Sequence, residues 1–151
     1  MNYTATISWQ KNPTEEFEKG RYSRVHQWAF DGGMKLSASS SPSVVPLPFS
    51  DPLLIDPEEA LLASLSSCHM LFFLSIAAKK KIVVECYEDN VQGTMGKNEE
   101  GKMAMLTVTL NPVIQFSGPE PSRETIREIH ELSHENCYIA NSVKTKIDIN
   151  Y

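Results

Sequence analysis

The first forty residues alternate hydrophobic and polar positions with the period of strands. Tyr3 to Trp9 (YTATISW) interleaves Thr and Ile with aromatic residues, and Val25 to Phe30 and Met34 to Leu36 flank Asp31-Gly32-Gly33, which predicts a hairpin turning at the glycines. Gln10 to Gly20 between them is polar and predicts a loop. Ser39 to Pro57 holds five of the nine prolines and many serines, so it predicts an irregular surface excursion. It is longer than an ordinary connection, and loops of that length are often functional. Asp56-Pro57-Glu58-Glu59 then predicts a helix start, with Asp as N-cap, Pro in the first turn and acids at the positive end of the dipole. The helix runs through Ala60 to Ala78, nineteen residues without a charge, toward Lys79, Lys80 and Lys81. Ile82 to Gly96 and Lys102 to Phe116 predict two long strands joined by Lys97 to Gly101. The alternation at Met103, Met105, Thr107 and Thr109 shifts around Pro112, which predicts a bulge or an edge there. Ser122, Glu124 and Thr125 open a second helix with an apolar stripe at Ile126, Ile129 and Leu132, ending near Asn136 or passing through a short turn beyond Cys137. Val143, Thr145, Ile147 and Ile149 alternate as a closing strand. The order β-β-β-α-β-β-α-β is that of an α+β fold with mostly antiparallel pairing.

Composition narrows the partners. A chain of 151 residues predicts a single domain, 1–151, and its 41% hydrophobic content a globular one. Fourteen Lys and Arg against nineteen Asp and Glu leave a net charge of −5, which argues against nucleic acid or an anionic membrane as a general partner. Met1 to Gln10 carries neither a basic run nor an apolar one, and a cytoplasmic location is expected. The uncharged stretch is nearly the length of about 20 residues that a membrane span needs. Four serines, a histidine and a cysteine interrupt it, and no other segment resembles a partner span, so it reads as a core helix of a soluble protein. Such a helix needs cover on most of its sides.

Three cysteines, Cys68, Cys86 and Cys137, are an odd number with no C-x-x-C pair, which excludes a secreted disulfide framework and predicts a reducing compartment. Taken alone, a cysteine in the middle of an apolar helix is an inert small hydrophobe more often than a nucleophile. His69 follows Cys68 but lies about 100° around a helix from it, so the neighbours share no face. His130, His134 and Cys137 do share one, at i, i+4 and i+7, and allow a metal site completed by Cys68 or a carboxylate; solvated histidines on a mixed face are the commoner arrangement and the favoured reading. Cys86 sits in a predicted strand and reads as structural.

The surroundings of two cysteines carry a resemblance. Residues 56–68, DPEEALLASLSSC, closely resemble the helix signature of the OsmC/Ohr family, in which a proline and glutamate precede a peroxide-reacting cysteine. Residues 133–143, SHENCYIANSV, resemble its second cysteine motif, although Tyr138 stands where the family often has proline. The resemblance extends over almost the whole chain in element order. It implies an OsmC-like fold with antiparallel sheets wrapped around central helices, an intertwined homodimer, and a thiol peroxidase that acts on organic hydroperoxides or hydrogen peroxide without metal or cofactor. In that scheme Cys68 becomes a sulfenic acid and condenses with Cys137, and a dithiol, in the family a lipoylated protein among others, reduces the disulfide. The family's arginine from the N-terminal strands corresponds to Arg24, with Arg21 in reserve, and its orienting glutamate to Glu58. On a straight helix Glu58 and Cys68 stand about 15 Å apart, so the carboxylate cannot touch the thiol directly: either it acts through the arginine or the helix breaks. Cys86 is left as a bystander. Two alternatives keep the same fold: a non-catalytic protein holding a small apolar ligand under the Ser39 to Pro57 loop, and a metal-binding protein using His130, His134 and Cys137.

Overall fold

The turn predicted at the glycines forms. Phe30 N–H donates to Met34 O at 2.9 Å, Gly33 N–H donates to Phe30 O at 3.0 Å, and Gly33 takes φ +88°, a conformation that strains any L side chain. It joins β2 (His26–Phe30) to β3 (Lys35–Ala38), and β1 (Ala5–Ser8) pairs with the other edge of β2, all antiparallel. Ile7, Trp28 and Leu36 face each other across the three strands. The excursion after β3 folds back on this sheet: Ser39 N–H donates to Ile55 O at 3.0 Å, Asp51 N–H to Ser39 Oγ at 3.0 Å, and Arg24 N–H to Phe49 O at 2.9 Å. The segment Gln10 to Gly20 is more ordered than a plain loop. The Glu15 carboxylate accepts N–H groups from Ser23 at 2.8 Å and Asn12 at 2.9 Å, which hold its pKa below the usual carboxylate range. A short 3-10 turn, Phe17–Lys19, ends on Gly20 at φ +73°.

The computed structural model describes residues 1–151, whose contacts gather into two compact units, Met1–Ala60 and Leu61–Tyr151. Helix α1 (Pro57–Lys79) starts on a capping box, Glu59 N–H donating to Asp56 Oδ1 at 2.8 Å and Asp56 N–H to Glu59 Oε2 at 3.2 Å. It stops where Lys81 turns left-handed at φ +62°, with Ile82 N–H on Ala77 O at 3.0 Å and Lys81 N–H on Ala78 O at 3.1 Å, a Schellman ending.

The two long strands expected after α1 are four. β4 (Val83–Asp89) pairs with β7 (Pro112–Ser117), and β5 (Gln92–Lys97) pairs with β6 (Met103–Leu110), so one long hairpin bends into two short sheets. Asp89 and Asn111 make the corner: Asn111 N–H donates to Asp89 Oδ1 at 2.6 Å and its amide to Asn90 O at 2.9 Å. Pro112, with no N–H, begins the strand after the bend. Helix α2 (Arg123–Asn136) opens on Ser122, whose Oγ accepts Thr125 N–H at 3.2 Å. The closing strand β8 (Lys146–Ile149) runs parallel to β6, and apart from an isolated parallel bridge between Ala38 and Ile55 the rest of the α+β fold is antiparallel.

Two apolar clusters hold the C-terminal unit. One gathers Leu65, Val108, Leu110 and Cys137, with Cys68 and Phe72 packed against it. The other gathers Phe73, Ala77 and Ile129, with Ile82, Tyr87 and Phe116 around it. Helix α1 contributes to both through Leu65, His69, Phe73 and Ala77, one buried row at four-residue steps, and leaves Ala63, Ser67, Leu71, Ser75 and Ala78 exposed on another face. The buried row on α2 is Ile129, His130 and Ser133, so two polar residues occupy the face that the apolar stripe alone would assign.

Candidate active site

Helix α1 presents Cys68 at its middle, and α2 ends at Cys137, its C-cap residue, whose N–H donates to His134 O at 3.2 Å. The separation of 69 positions is closed by the fold, which packs Cys68 against the cluster that contains Cys137 and sets the two sulfurs near enough for one to shift the titration of the other. Both are free thiols. Cys68 is half-buried, whereas Cys137 is 1% exposed. Burial pushes the Cys137 thiol up, to about 11, and the neighbouring Cys68 sulfur adds to the rise; Ala140 N–H, donating to Cys137 Sγ at 3.4 Å, works against it. Cys137 is therefore a protonated thiol at neutral pH, while Cys68 is the member of the pair that solvent reaches. Such a pair is suited to two-electron oxidation, one sulfur meeting an external oxidant and the other standing by to close a disulfide.

Phe72 and Tyr138 pack edge to face at 5.2 Å between ring centres beside this pair. Tyr138, in the place where proline is common, keeps a rigid aromatic contact with α1. Its neighbourhood is a turn, Ala140–Ser142, held by Asn141 N–H on Cys137 O at 3.0 Å.

Arg24 and Glu58 lie in the N-terminal unit, and no ion pair joins them. Arg24 Nη1 donates to Gly20 O at 3.0 Å and to Tyr22 O, and its guanidinium lies 3.6 Å from the centre of the Tyr22 ring. Arg21, the reserve, pairs with Glu16 at 3.1 Å. Glu58 makes no hydrogen bond or salt bridge, while its neighbour Glu59 forms the capping box. Arg24 borders a cavity of about 470 Å³ walled by Trp9, Phe17, Tyr22 and Ile7 and reaching Ser39 and Pro57. The aromatic rings brace one another, with Phe17 and Tyr22 4.5 Å apart, and Trp9 Nε1 donates to Ser23 O at 2.8 Å.

The metal alternative is corrected by the helix faces. No three His, Cys, Asp or Glu side chains converge as ligands anywhere in the chain, because α2 turns His130 onto His69 and Cys137 onto Cys68. Cys86 is exposed on β4. The residue that sequence reasoning passes over is His69, whose signal is the four-residue row Leu65, His69, Phe73, Ala77: a polar ring inside an apolar face calls for a buried partner.

Antiparallel sheets with two helices that bring a half-buried and a buried thiol together define an α+β protein of dithiol type. Residues 50–151 match the family of OsmC-like proteins, and the chain belongs to that family. Among solved structures, it is similar to an OsmC-like protein of unknown function from Vibrio cholerae O1 biovar eltor, with 48% identity, a TM-score of 0.97, and cover of 99% of this chain and 98% of that one. More distant likenesses include an organic hydroperoxide resistance protein from Elizabethkingia anophelis (17% identity, TM-score 0.71, 99% and 92% covered). Another is an organic hydroperoxide resistance protein from Legionella pneumophila (14% identity, TM-score 0.70, 99% and 94% covered). These two share the fold. No curated protein matches the chain.

Proposed function

We propose that the protein is a cytoplasmic thiol peroxidase that reduces organic hydroperoxides, with hydrogen peroxide as a second substrate, at the expense of a dithiol. One observation carries the reading: two cysteines far apart in sequence meet as free thiols, one half-buried and one fully buried. In the first step the Cys68 thiolate attacks the distal peroxide oxygen, the O–O bond breaks, and the alkoxide leaves as the alcohol after taking a proton, so Cys68 becomes a sulfenic acid. In the second, the Cys137 sulfur attacks the Cys68 sulfur, an S–S bond forms, and the sulfenic oxygen leaves as water with the Cys137 proton. A dithiol, a lipoylated protein being one candidate, then returns two electrons by exchange.

Roles for Arg24, as the cation favouring the thiolate, and for Glu58, as its orienting carboxylate, rest on the family resemblance alone. A homodimer belongs to the same proposal, supported by α1. Its exposed row includes Leu71, 61% exposed, and only 28% of its most apolar eighteen-residue window is buried. A helix of that character calls for cover by a second copy.

The test titrates thiols with cumene hydroperoxide. Wild-type protein is expected to lose two thiols per chain and to yield a Cys68–Cys137 disulfide in the peptide map. Cys68→Ser abolishes peroxide consumption, and Cys137→Ser gives one turnover and then stalls. Sustained turnover by either variant overturns the two-cysteine mechanism. A second reading, a protein that holds a small apolar ligand, is favoured by the aromatic cavity of the N-terminal unit; thiols left unchanged by hydroperoxide would select it.

A further inference from the structure

Between the two apolar clusters of the C-terminal unit lies a polar contact that the thiol chemistry does not use. His69 and His130, 1% and 0% exposed, meet with His69 Nε2 and His130 Nδ1 3.0 Å apart and ring planes 7° from parallel. Phe73 and Tyr151 pack on His130 at 4.6 and 4.7 Å between ring centres. The outer nitrogens, His69 Nδ1 and His130 Nε2, have no partner, so each ring makes a single side-chain hydrogen bond, and the two share it. Burial lowers both pKa values to about 4, which keeps both rings neutral at physiological pH. Two neutral imidazoles make one directional bond, a donor on one ring and a lone pair on the other.

The position of this bond matters more than its strength. His69 is the residue after Cys68, and His130 stands two turns before Cys137 on the same helix face. Contacts between the helices run in opposite directions along them, from Cys68 with Cys137, through His69 with His130, to Lys80 Nζ with Glu128 Oε2 at 2.9 Å. The Lys80 pair lies at the rim, where an ion pair contributes little. Apolar contacts around the rings tolerate a slide of one helix along the other, but a buried hydrogen bond does not, since sliding leaves both partners unsatisfied in a dry interior. A disulfide tolerates little displacement either, requiring Cβ atoms about 3.5–4.5 Å apart.

We propose that the His69–His130 hydrogen bond is the pin that fixes the register of α1 against α2, and thereby holds Cys68 and Cys137 where their disulfide can close. Both histidines are positioning residues, acting on sulfur chemistry through the helices that carry them. This rests on the reading that the two cysteines form a disulfide, and not on which oxidant drives it.

The experiment equilibrates the full chain, in a Cys86→Ser background, with reduced and oxidised glutathione. In that exchange oxidised glutathione takes two electrons and two protons from the thiols and leaves as two reduced molecules. Alkylation and peptide mapping count the Cys68–Cys137 disulfide. His69→Leu is expected to lower its equilibrium constant about tenfold, the worth of one hydrogen bond, and His69→Gln, whose amide nitrogen can stand near the Nε2 position, to restore it. His130 supplies a pair of polar variants of similar size that guard against loss of folding: His130→Asn keeps an amide at the Nδ1 position and stays near wild type, whereas His130→Gln displaces it and falls. A merely structural role would lower melting temperatures without separating Asn from Gln in the disulfide equilibrium. Equal constants for the two His130 variants, or a folded His69→Leu with the wild-type constant, overturn the pin and leave the peroxidase reading standing. Wild-type protein that forms no Cys68–Cys137 disulfide in glutathione overturns both.

Discussion

The two units use apolar side chains in opposite ways. In Leu61–Tyr151, Phe73, Leu65, Leu110 and Ile129 are fully buried, and the helices close over them. In Met1–Ala60 the one fully buried apolar side chain is Ala38, while Ile7, Trp9, Phe17, Val44, Leu47 and Leu53 are exposed and every residue of β1 faces solvent. The N-terminal unit is held by backbone hydrogen bonds, an aromatic trio and a carboxylate cradle at Glu15 rather than by a core. A segment of sixty residues rarely stabilises itself on such terms. The difference separates the apolar surface that the chain buries from the apolar surface that it leaves exposed.

The largest effect that would break this comparison is at Phe73. Phe73→Ala removes a fully buried ring at the meeting point of His130, Tyr87 and Ala77, and is expected to cost about 3–5 kcal/mol in denaturant unfolding. Phe17→Ala, at a ring 48% exposed, should cost under about 1 kcal/mol. Similar losses at the two positions would show that the N-terminal aromatics are a core after all. A Phe17 penalty that appears only at high protein concentration would instead locate their cover in a second copy.

Acid sharpens the comparison next. His69 and His130 titrate near 4 when folded and near 6.5 when unfolded, so between those values the unfolded chain binds more protons and stability falls as pH falls. The loss begins as pH drops below about 6.5 and levels off below about 4, and on the order of 3 kcal/mol is at stake for a ring shifted this far. Burial is the main cause for both rings. His134 acts in the same direction on His69, and Asp89 opposes it. Unfolding midpoints between pH 7 and 4 should fall steeply for the wild type and more gently for His69→Gln. Equal slopes would mean that the rings are not the groups that titrate.

Much of this was legible in the chain, where local rules decide the outcome. Asp56, Pro57 and Glu59 cap α1 as their residue types require, Ser122 caps α2, and Gly32-Gly33 turns the first hairpin. The two cysteine motifs were legible as a resemblance, and the fold brings Cys68 and Cys137 together. Three features were not. The corner at Asp89 and Asn111 depends on a side chain from one strand capturing the backbone of another 22 residues away, which no local pattern records. The parallel placement of β8 on β6 is likewise a tertiary choice that alternation along β8 cannot signal. His69 reads in the sequence only as the neighbour of Cys68, and His130 only as part of a face with His134 and Cys137, because their meaning lies in a pairing across 61 residues.

The smallest effect concerns how each unit ends a helical turn. Both use a left-handed residue, Gly20 at φ +73° after Phe17–Lys19 and Lys81 at φ +62° after α1. Gly20 pays no steric penalty there, whereas Lys81 carries a Cβ against the following carbonyl, a cost of about 1 kcal/mol or more. Lys81→Gly should therefore raise stability by about 1 kcal/mol, since the Schellman bonds from Lys81 N–H and Ile82 N–H need only the backbone. Gly20→Ala should lower it by a similar amount, although nothing crowds a Cβ at that position, because the strain is in the backbone itself. Thermal midpoints of the two variants therefore move in opposite directions. A stabilised Gly20→Ala would mean that the turn in the N-terminal unit relaxes out of the left-handed region, as a unit without a core could afford and α1, packed along its buried row, could not.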